Sequence, residues 1–275
     1  MPTIDPILKP FVERWALTPD GDRLVTPSSH LLPVRWRGHP AMLKVATETE
    51  ERYGGRLMVW WDGEGAARVH AHDGDGLLLE RAEGTRSLSA YARNGRDDEA
   101  TRILCSSVAK LHAPRDKPLP ELIPLSRWFE ALEPGAAAYG GILHRSAEVA
   151  RTLLGDQRDV VVLHGDVHHD NFLDFGDRGW LAIDPKRLNG ERSFDYANIF
   201  CNPDLADPAI AVATRPERFE RRLEIVCAEA GLERRRLLQW ILAWSGLSAV
   251  WYLDDAMAAD IDLRIAELAA AHLDR

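Results

Sequence analysis

A chain of 275 residues, 45% apolar and 28% charged, has material for two modest lobes, each able to bury a core. Its formal net charge of −9 argues against a general affinity for nucleic acid, which needs cationic surface, and permits a cationic ligand. No apolar run is long enough to cross a bilayer, the N-terminal MPTIDPILKPFVERWAL lacks a signal-peptide layout, and Cys105, Cys201 and Cys227 are spaced for neither disulfides nor a metal, so the expectation is a cytoplasmic protein with reduced thiols.

The first lobe opens with β-like runs at 23–26, 30–37 and 41–45, the last two separated by Gly38-His39-Pro40. Residues 47–61 read as a helix: Thr47 or Thr49 can cap it, and acidic residues crowd its first turn, although Gly54-Gly55 weakens it. Strand candidates at 67–71 and 76–81 complete a β-β-β-α-β-β order. Residues 97–112 form a helix with Leu104, Val108, Leu111 and His112 at helical spacing. Four prolines, Pro114, Pro118, Pro120 and Pro124, impose an extended connector, and helices follow at 125–139 and 142–154. A short buried strand at 160–163 runs into a polar loop; 172–175 and 180–183 make a hairpin across 176–179; 193–275 reads as mainly helical. This divides the chain into a β-rich lobe over 1–80, a hinge near 79–84 and a mainly helical lobe over 81–275.

The chemistry gathers in one stretch. An apolar strand, Val160 to Leu163, delivers His164-Gly165-Asp166-Val167-His168-His169-Asp170-Asn171, and the hairpin returns a second carboxylate, Asp184, beside that loop. One carboxylate can then meet a reacting hydroxyl while an amide oxygen and the other carboxylate hold Mg²⁺, a cation that takes oxygen ligands and usually substrate phosphates.

The loop HGDVHHDN resembles the catalytic loop H-x-D-x-x-x-x-N of protein kinases, and more closely the HGDxHxxN loop of the aminoglycoside phosphotransferases. Within that superfamily the chain is most similar to the streptomycin kinase and hydroxyurea phosphotransferase branch, through LPVRWRGHPAMLKV, LLLERAEGTRSL, IDPKRLNGERSFDYANIFCNP and ILAWSGLSAVWYLDD. The resemblance implies an α+β, two-lobed protein-kinase-like fold with a small antiparallel N-lobe and a mainly helical C-lobe. It implies ATP and Mg²⁺ as cofactors and a small polar acceptor, cationic in the aminoglycoside case, such as streptomycin. It assigns Asp166 to the acceptor hydroxyl's proton, Asn171 and Asp184 to Mg²⁺, and Lys44 to the α- and β-phosphates. The backbone from Glu80 to Ala82 would meet adenine. His168, where many kinases carry lysine, would meet the γ-phosphate or the acceptor. Ser28 and Ser29 stand in place of a glycine-rich loop, and Glu50 and Glu51 are the candidates to pair Lys44. Asp170 replaces a common glycine and adds a carboxylate near the metal or a cationic substrate.

Each residue also has a plainer reading. His164 reads as a brace for its loop, and Asp195, at a helix start, as a support for it. Lys186 and Arg192 either contact phosphate or shape the loop. Trp240, Trp244 and Trp251 recur at helical spacing and read as core; Asp254 and Asp255 read as a solvated helix end or the edge of a cationic site. A zinc hydrolase is disfavoured, because Asp166 falls where histidine is needed and His272 is the sole histidine after His169. A non-catalytic nucleotide-binding module and kinases for other small molecules, such as amino alcohols or sugars, share the same scaffold logic.

Overall fold

Helix α1 (Lys9–Arg14) precedes an antiparallel sheet made of β1 (Thr18–Pro19), β2 (Leu24–Val25), β3 (Ser29–Trp36) and β4 (His39–Ala46). Helix α2 (Thr49–Trp61) interrupts that sheet before β5 (Val69–Asp73) and β6 (Gly76–Glu80) complete it. The structure is a computed structural model that describes residues 4–275, without the side chains of Thr49 and Glu50. The strand order is β1-β3-β4-β6-β5, with β2 also on β3. The β3–β4 register runs from Ser29↔Ala46 to Trp36↔His39, so the turn is Arg37-Gly38, both at positive φ (51° and 82°). That is the two-residue hairpin geometry whose twist suits antiparallel strands. His39 and Pro40, expected in the turn, therefore belong to the strand.

Alternation along β6 assigns its two faces to different cores. Leu78 packs with Val34, Ala41 and Leu43 under the sheet, while Leu77 and Leu79 join Leu57, Met58 and Trp61 of α2 in the core shared with the helical lobe. Helix α2 is thereby bound to both halves. Gly54 explains itself here: a Cβ would lie 2.5 Å from the Pro185 carbonyl oxygen, so glycine permits α2 to touch the segment after Asp184.

The helical lobe begins with α3 (Leu88–Tyr91), a π-turn (Ala92–Arg96) and α4 (Asp97–Leu111). Short β7 (Ile123–Pro124) leads to α5 (Leu125–Trp128), α6 (Leu132–Tyr139) and α7 (Ile142–Gly155). The single helix expected over 125–139 is two, because Pro134 lacks an N–H and is accommodated in the first turn of α6. Strand β8 (Val160–Leu163) enters the polar loop, and β9 (Phe172–Asp174) pairs with β10 (Trp180–Ala182). Strand β11 (Leu188–Glu191) lies antiparallel to β8 and parallel to β7. Two 3₁₀ turns (Arg192–Tyr196, Asn198–Phe200) precede α8 (Pro216–Ala230), α9 (Arg234–Asp254) and α10 (Asp260–Leu273). Residues between 201 and 215 are not helical as expected. The buried Asp204 carboxylate accepts backbone N–H bonds from Val212, Ala213 and Thr214, which holds this loop without a ladder.

The connector after β6 is pinned to the hairpin. Gly84 N donates to the Asp174 carbonyl (3.0 Å), and Arg86 forks onto the Asp174 carboxylate at 2.7 and 2.6 Å. Those Arg86 bonds hold the Asp174 carboxyl at about 2. Among the described residues no helix is long and apolar enough to cross a membrane.

Candidate active site

The loop between β8 and β9 is built by buried hydrogen bonds. The Asp195 carboxylate, fully buried, accepts from His164 N and Gly165 N at 2.8 Å each and lies 2.7 Å from His112 Nε2. His164 Nδ1 accepts from Asp166 N (3.2 Å), so Nε2 carries the proton and donates to the Ile183 carbonyl (2.8 Å). Burial pushes the His164 pKa below the ordinary value, which keeps the ring neutral in this bridging role. The Ile183 N–H closes onto the Asn171 carbonyl at 2.9 Å. One histidine and one backbone bond thus set the end of the hairpin against the loop and bring Asp184 beside Asn171.

The hydrogen bonds that Asp166 accepts come from neutral amides. Its Oδ1 accepts from Asn198 Nδ2 at 3.0 Å, and Asn198 Oδ1 accepts from Trp244 Nε1 and Asn202 Nδ2, both at 3.1 Å. The Asp166 carbonyl accepts from Asn171 Nδ2 (2.9 Å), which turns the Asn171 amide oxygen away from that carbonyl. His168 Nδ1 accepts from Asp170 N at 3.3 Å and its Nε2 stands 3.9 Å from Asp166 Oδ1. Asp170 itself accepts from Ser89 Oγ at 2.6 Å, so it ties the loop to α3.

The other half of the site is charged. Lys44, buried on β4, reaches Glu51 Oε2 at 2.5 Å and Asp184 Oδ1 at 2.7 Å. Glu51 is therefore a partner of the strand lysine; the side chain of Glu50 lies outside the described residues. Asp184 sits at φ 57°, a left-handed conformation uncommon for a residue with a Cβ, and the surrounding bonds hold it there. Lys186 Nζ meets the second Glu51 oxygen at 2.9 Å, and its N–H donates to the His164 carbonyl at 2.7 Å. Burial would raise the Glu51 pKa, but Lys44 and Lys186 outweigh it and hold the carboxyl below its ordinary range. Burial would likewise depress Lys186; Asp166, Glu51 and Asp184 outweigh it, and the amine is held above its ordinary range.

Glu80 and Ala82 flank the end of the sheet. Glu80 N donates to the Arg68 carbonyl (2.9 Å), and its carboxylate accepts from Arg68 N and pairs with Arg178. Ala82 lies past the last strand pair, in the extended connector. Ser29 begins β3 with its hydroxyl buried and without a hydrogen-bond partner among the described residues, and its carbonyl closes the Thr26–Ser29 turn. The Ser28 carbonyl accepts from Thr47 N at 2.8 Å.

Beside Asp166 opens a cavity of about 420 Å³. Asp166, His168, Asn198 and Asn202 line it together with Trp244, Ser248, Trp251, Tyr252 and Asp255. The tryptophan series thus divides: Trp240 is core, whereas Trp244 and Trp251 are packed edge-to-face at 5.6 Å and also wall the cavity. Asp255 lines the cavity, while Asp254 accepts from Tyr139 OH at 2.8 Å. Sequence reasoning did not single out Asn198. The available signal was an amide three residues after Asp195 in an otherwise apolar Tyr196-Ala197-Asn198-Ile199-Phe200 run.

A sheet lobe bearing a paired lysine, joined to a helical lobe bearing HGD…N and a hairpin-end aspartate, defines an O-phosphotransferase of the protein-kinase-like class. A family model described as aminoglycoside/hydroxyurea antibiotic resistance kinase matches residues 14–256, and the chain belongs to that family. It is 54% identical to a streptomycin 3''-kinase of Klebsiella pneumoniae over 267 residues, covering 96% of this chain and 100% of that one. It is 30% identical to a streptomycin 6-kinase of Streptomyces griseus, covering 93% and 85% of the two chains. Among solved structures, a thermostable mutant of aminoglycoside phosphotransferase APH(4)-Ia with AMP-PNP and hygromycin B shares the fold. Its TM-score is 0.69 at 14% identity, with 98% of this chain and 99% of that one covered.

Proposed function

We propose that this enzyme transfers the γ-phosphoryl group of Mg-ATP to a hydroxyl of streptomycin, with the 3''-hydroxyl as acceptor. The observation that carries the reading is the position of Asp166, which belongs at once to the loop that abuts Asp184 and to the wall of the aromatic cavity. The regiochemistry rests on the 54% identity to a 3''-kinase, against 30% for the 6-kinase. A polyhydroxylated cation suits the cavity, because Trp244, Trp251 and Tyr252 supply aromatic lining and Asp255 a carboxylate.

In this mechanism the acceptor lies in the cavity with one hydroxyl at Asp166, which takes its proton as the new O–P bond forms. Asn198 fixes the carboxylate's direction; positioned proton transfer of this kind contributes roughly 10²–10⁴-fold. Lys44 steadies the α- and β-phosphates. The Asp184 carboxylate and the Asn171 amide oxygen are hard oxygen donors, a set that fits Mg²⁺ and would hold it there. Bound there, the cation neutralises phosphate charge. The connector at Glu80 and Ala82 receives adenine through its backbone, chiefly at Ala82. Ser28 and Ser29 cover the phosphates from the turn. His168, with Nε2 toward Asp166, contacts the acceptor or the γ-phosphate. Use of ATP agrees with the cytoplasmic location expected from the sequence.

The test is to incubate the protein with Mg-ATP and streptomycin and to follow ADP release, product mass and the phosphorylated position by NMR. The reading predicts acceptor-dependent ADP and a 3''-phosphate. ADP release with choline or sugars but not with streptomycin would replace the substrate.

A further inference from the structure

We propose that Lys186 is a catalytic residue: a second cation that leaves Glu51 to bind the phosphoryl group in flight. The inference rests on the phosphotransfer reading and concerns a residue that the mechanism above does not use.

The argument begins with where the side chain starts. Lys186 N–H is fastened to the His164 carbonyl at 2.7 Å. A Cβ placed on Gly165 would lie 3.0 Å from Lys186 Cβ, so the lysine stem rises directly beside the residue before Asp166. Its ammonium ends 2.9 Å from Glu51 Oε1. The side chain therefore spans from the catalytic loop to Glu51 on α2.

The second point is what Glu51 needs. Lys44 also reaches Glu51, at 2.5 Å, so the carboxylate has a second ammonium partner, one that it shares with Asp184. Because Glu51 shares its charge between two ammonium groups, Lys186 can be released without leaving Glu51 unpaired.

The third point is the distribution of positive charge. Lys44 is anchored on both Glu51 and Asp184, so it is committed to the sheet side of the site. The loop itself offers His168, whose Nδ1 accepts a backbone N–H, as a neutral ring does. Lys186 is the lysine attached to the catalytic loop beside Asp166. In the transfer step the bond from the γ-phosphorus to ADP breaks, the bond to the acceptor oxygen forms, and the acceptor's proton passes to Asp166. Charge then spreads over the peripheral phosphoryl oxygens. Lys186 stays protonated and exchanges its hydrogen bond to Glu51 for one to such an oxygen, an interaction stronger in the transition state than in the ground state.

The experiment compares Lys186→Met and Lys186→Arg with the parent. It measures kcat, the affinity for Mg-AMP-PNP, and the tightening of Mg-ADP by aluminium fluoride, a stand-in for the phosphoryl group in flight. We expect Lys186→Met to lower kcat by about 100-fold and to abolish the aluminium fluoride tightening. AMP-PNP affinity should stay within about threefold, and Lys186→Arg should recover part of both losses. An AMP-PNP affinity that falls as far as kcat would reduce Lys186 to a prop for Glu51. A kcat within about threefold of the parent would remove it from the reaction. If Lys186→Met does not fold, Lys186→Arg decides: its loss must be larger for aluminium fluoride tightening than for AMP-PNP. The tightening needs no acceptor, so a parent that shows it yet ignores streptomycin fails the substrate reading and not this one.

Discussion

On the nucleotide side of Asp166 the functional groups are charged and paired across segments: Lys44 from β4, Glu51 from α2, Asp184 from the hairpin end and Lys186 just beyond it. On the acceptor side the partners are neutral and come from one lobe: Asn198 on Asp166, with Trp244 and Asn202 behind it. The two halves face different tasks. Ion pairs can be exchanged for contacts with an anionic ligand, because phosphate and metal replace the partners that are given up. Amide and indole bonds among buried groups leave no such alternative, so they fix one geometry and add no net charge beside the base. The nucleotide half should therefore respond to salt and to lobe placement, and the acceptor half to packing.

Breaking one half should leave the other intact. Among changes confined to one half, the largest effect belongs to Asp184→Asn, which removes a charged metal donor: Mg-ATP affinity should fall about 1000-fold by calorimetry, with the acceptor cavity unaltered. Next comes the ion pair beneath the acceptor half. Arg222, fully buried, forks onto Asp97 at 2.6 and 3.0 Å and donates to the Ile199 and Asn202 carbonyls at 2.8 and 2.5 Å. Asp97→Asn leaves that guanidinium uncompensated and should cost about 3 kcal/mol in urea unfolding. Asn198→Ala should lower kcat about 30-fold while AMP-PNP affinity stays unchanged, the signature of a group that acts through Asp166. The smallest effect is a pH dependence. Burial raises the Asp97 pKa, but Arg222 and Arg218 outweigh it and bring it to about 2 from 3.8. A depressed carboxyl contributes stability that is complete above the unfolded value and lost as pH falls through the folded one. The stability gap between the parent and Asp97→Asn should thus shrink by about 1 kcal/mol between pH 5 and pH 3.

Much of this arrangement was legible because its signals are local. The apolar run of β8, the polar residues that follow it and the hairpin with its terminal aspartate stand within 25 residues of one another, 160–184. Strand β11 was not legible. Asn189 and Gly190 are poor strand formers, and the strand exists because β7 and β8 pair with it and Leu125 packs where a Gly190 side chain would be. Helix α1, six residues with a proline near its start, is too short for periodicity to register. Gly54 looked like a weakness in α2, and its reason, contact with Pro185, lies 131 residues away. Trp244 and Trp251 show the limit of periodicity most clearly. Helical spacing says that a face of α9 is covered, but not whether protein or ligand covers it.

The central claim is that Asp166 joins the two halves by accepting the acceptor's proton. A single-turnover quench with Asp166→Asn, Mg-ATP and streptomycin tests it directly. The account predicts phosphorylated product at less than about one thousandth of the parent's rate, with AMP-PNP affinity within about threefold. Product formed within about tenfold of the parent's rate would contradict it.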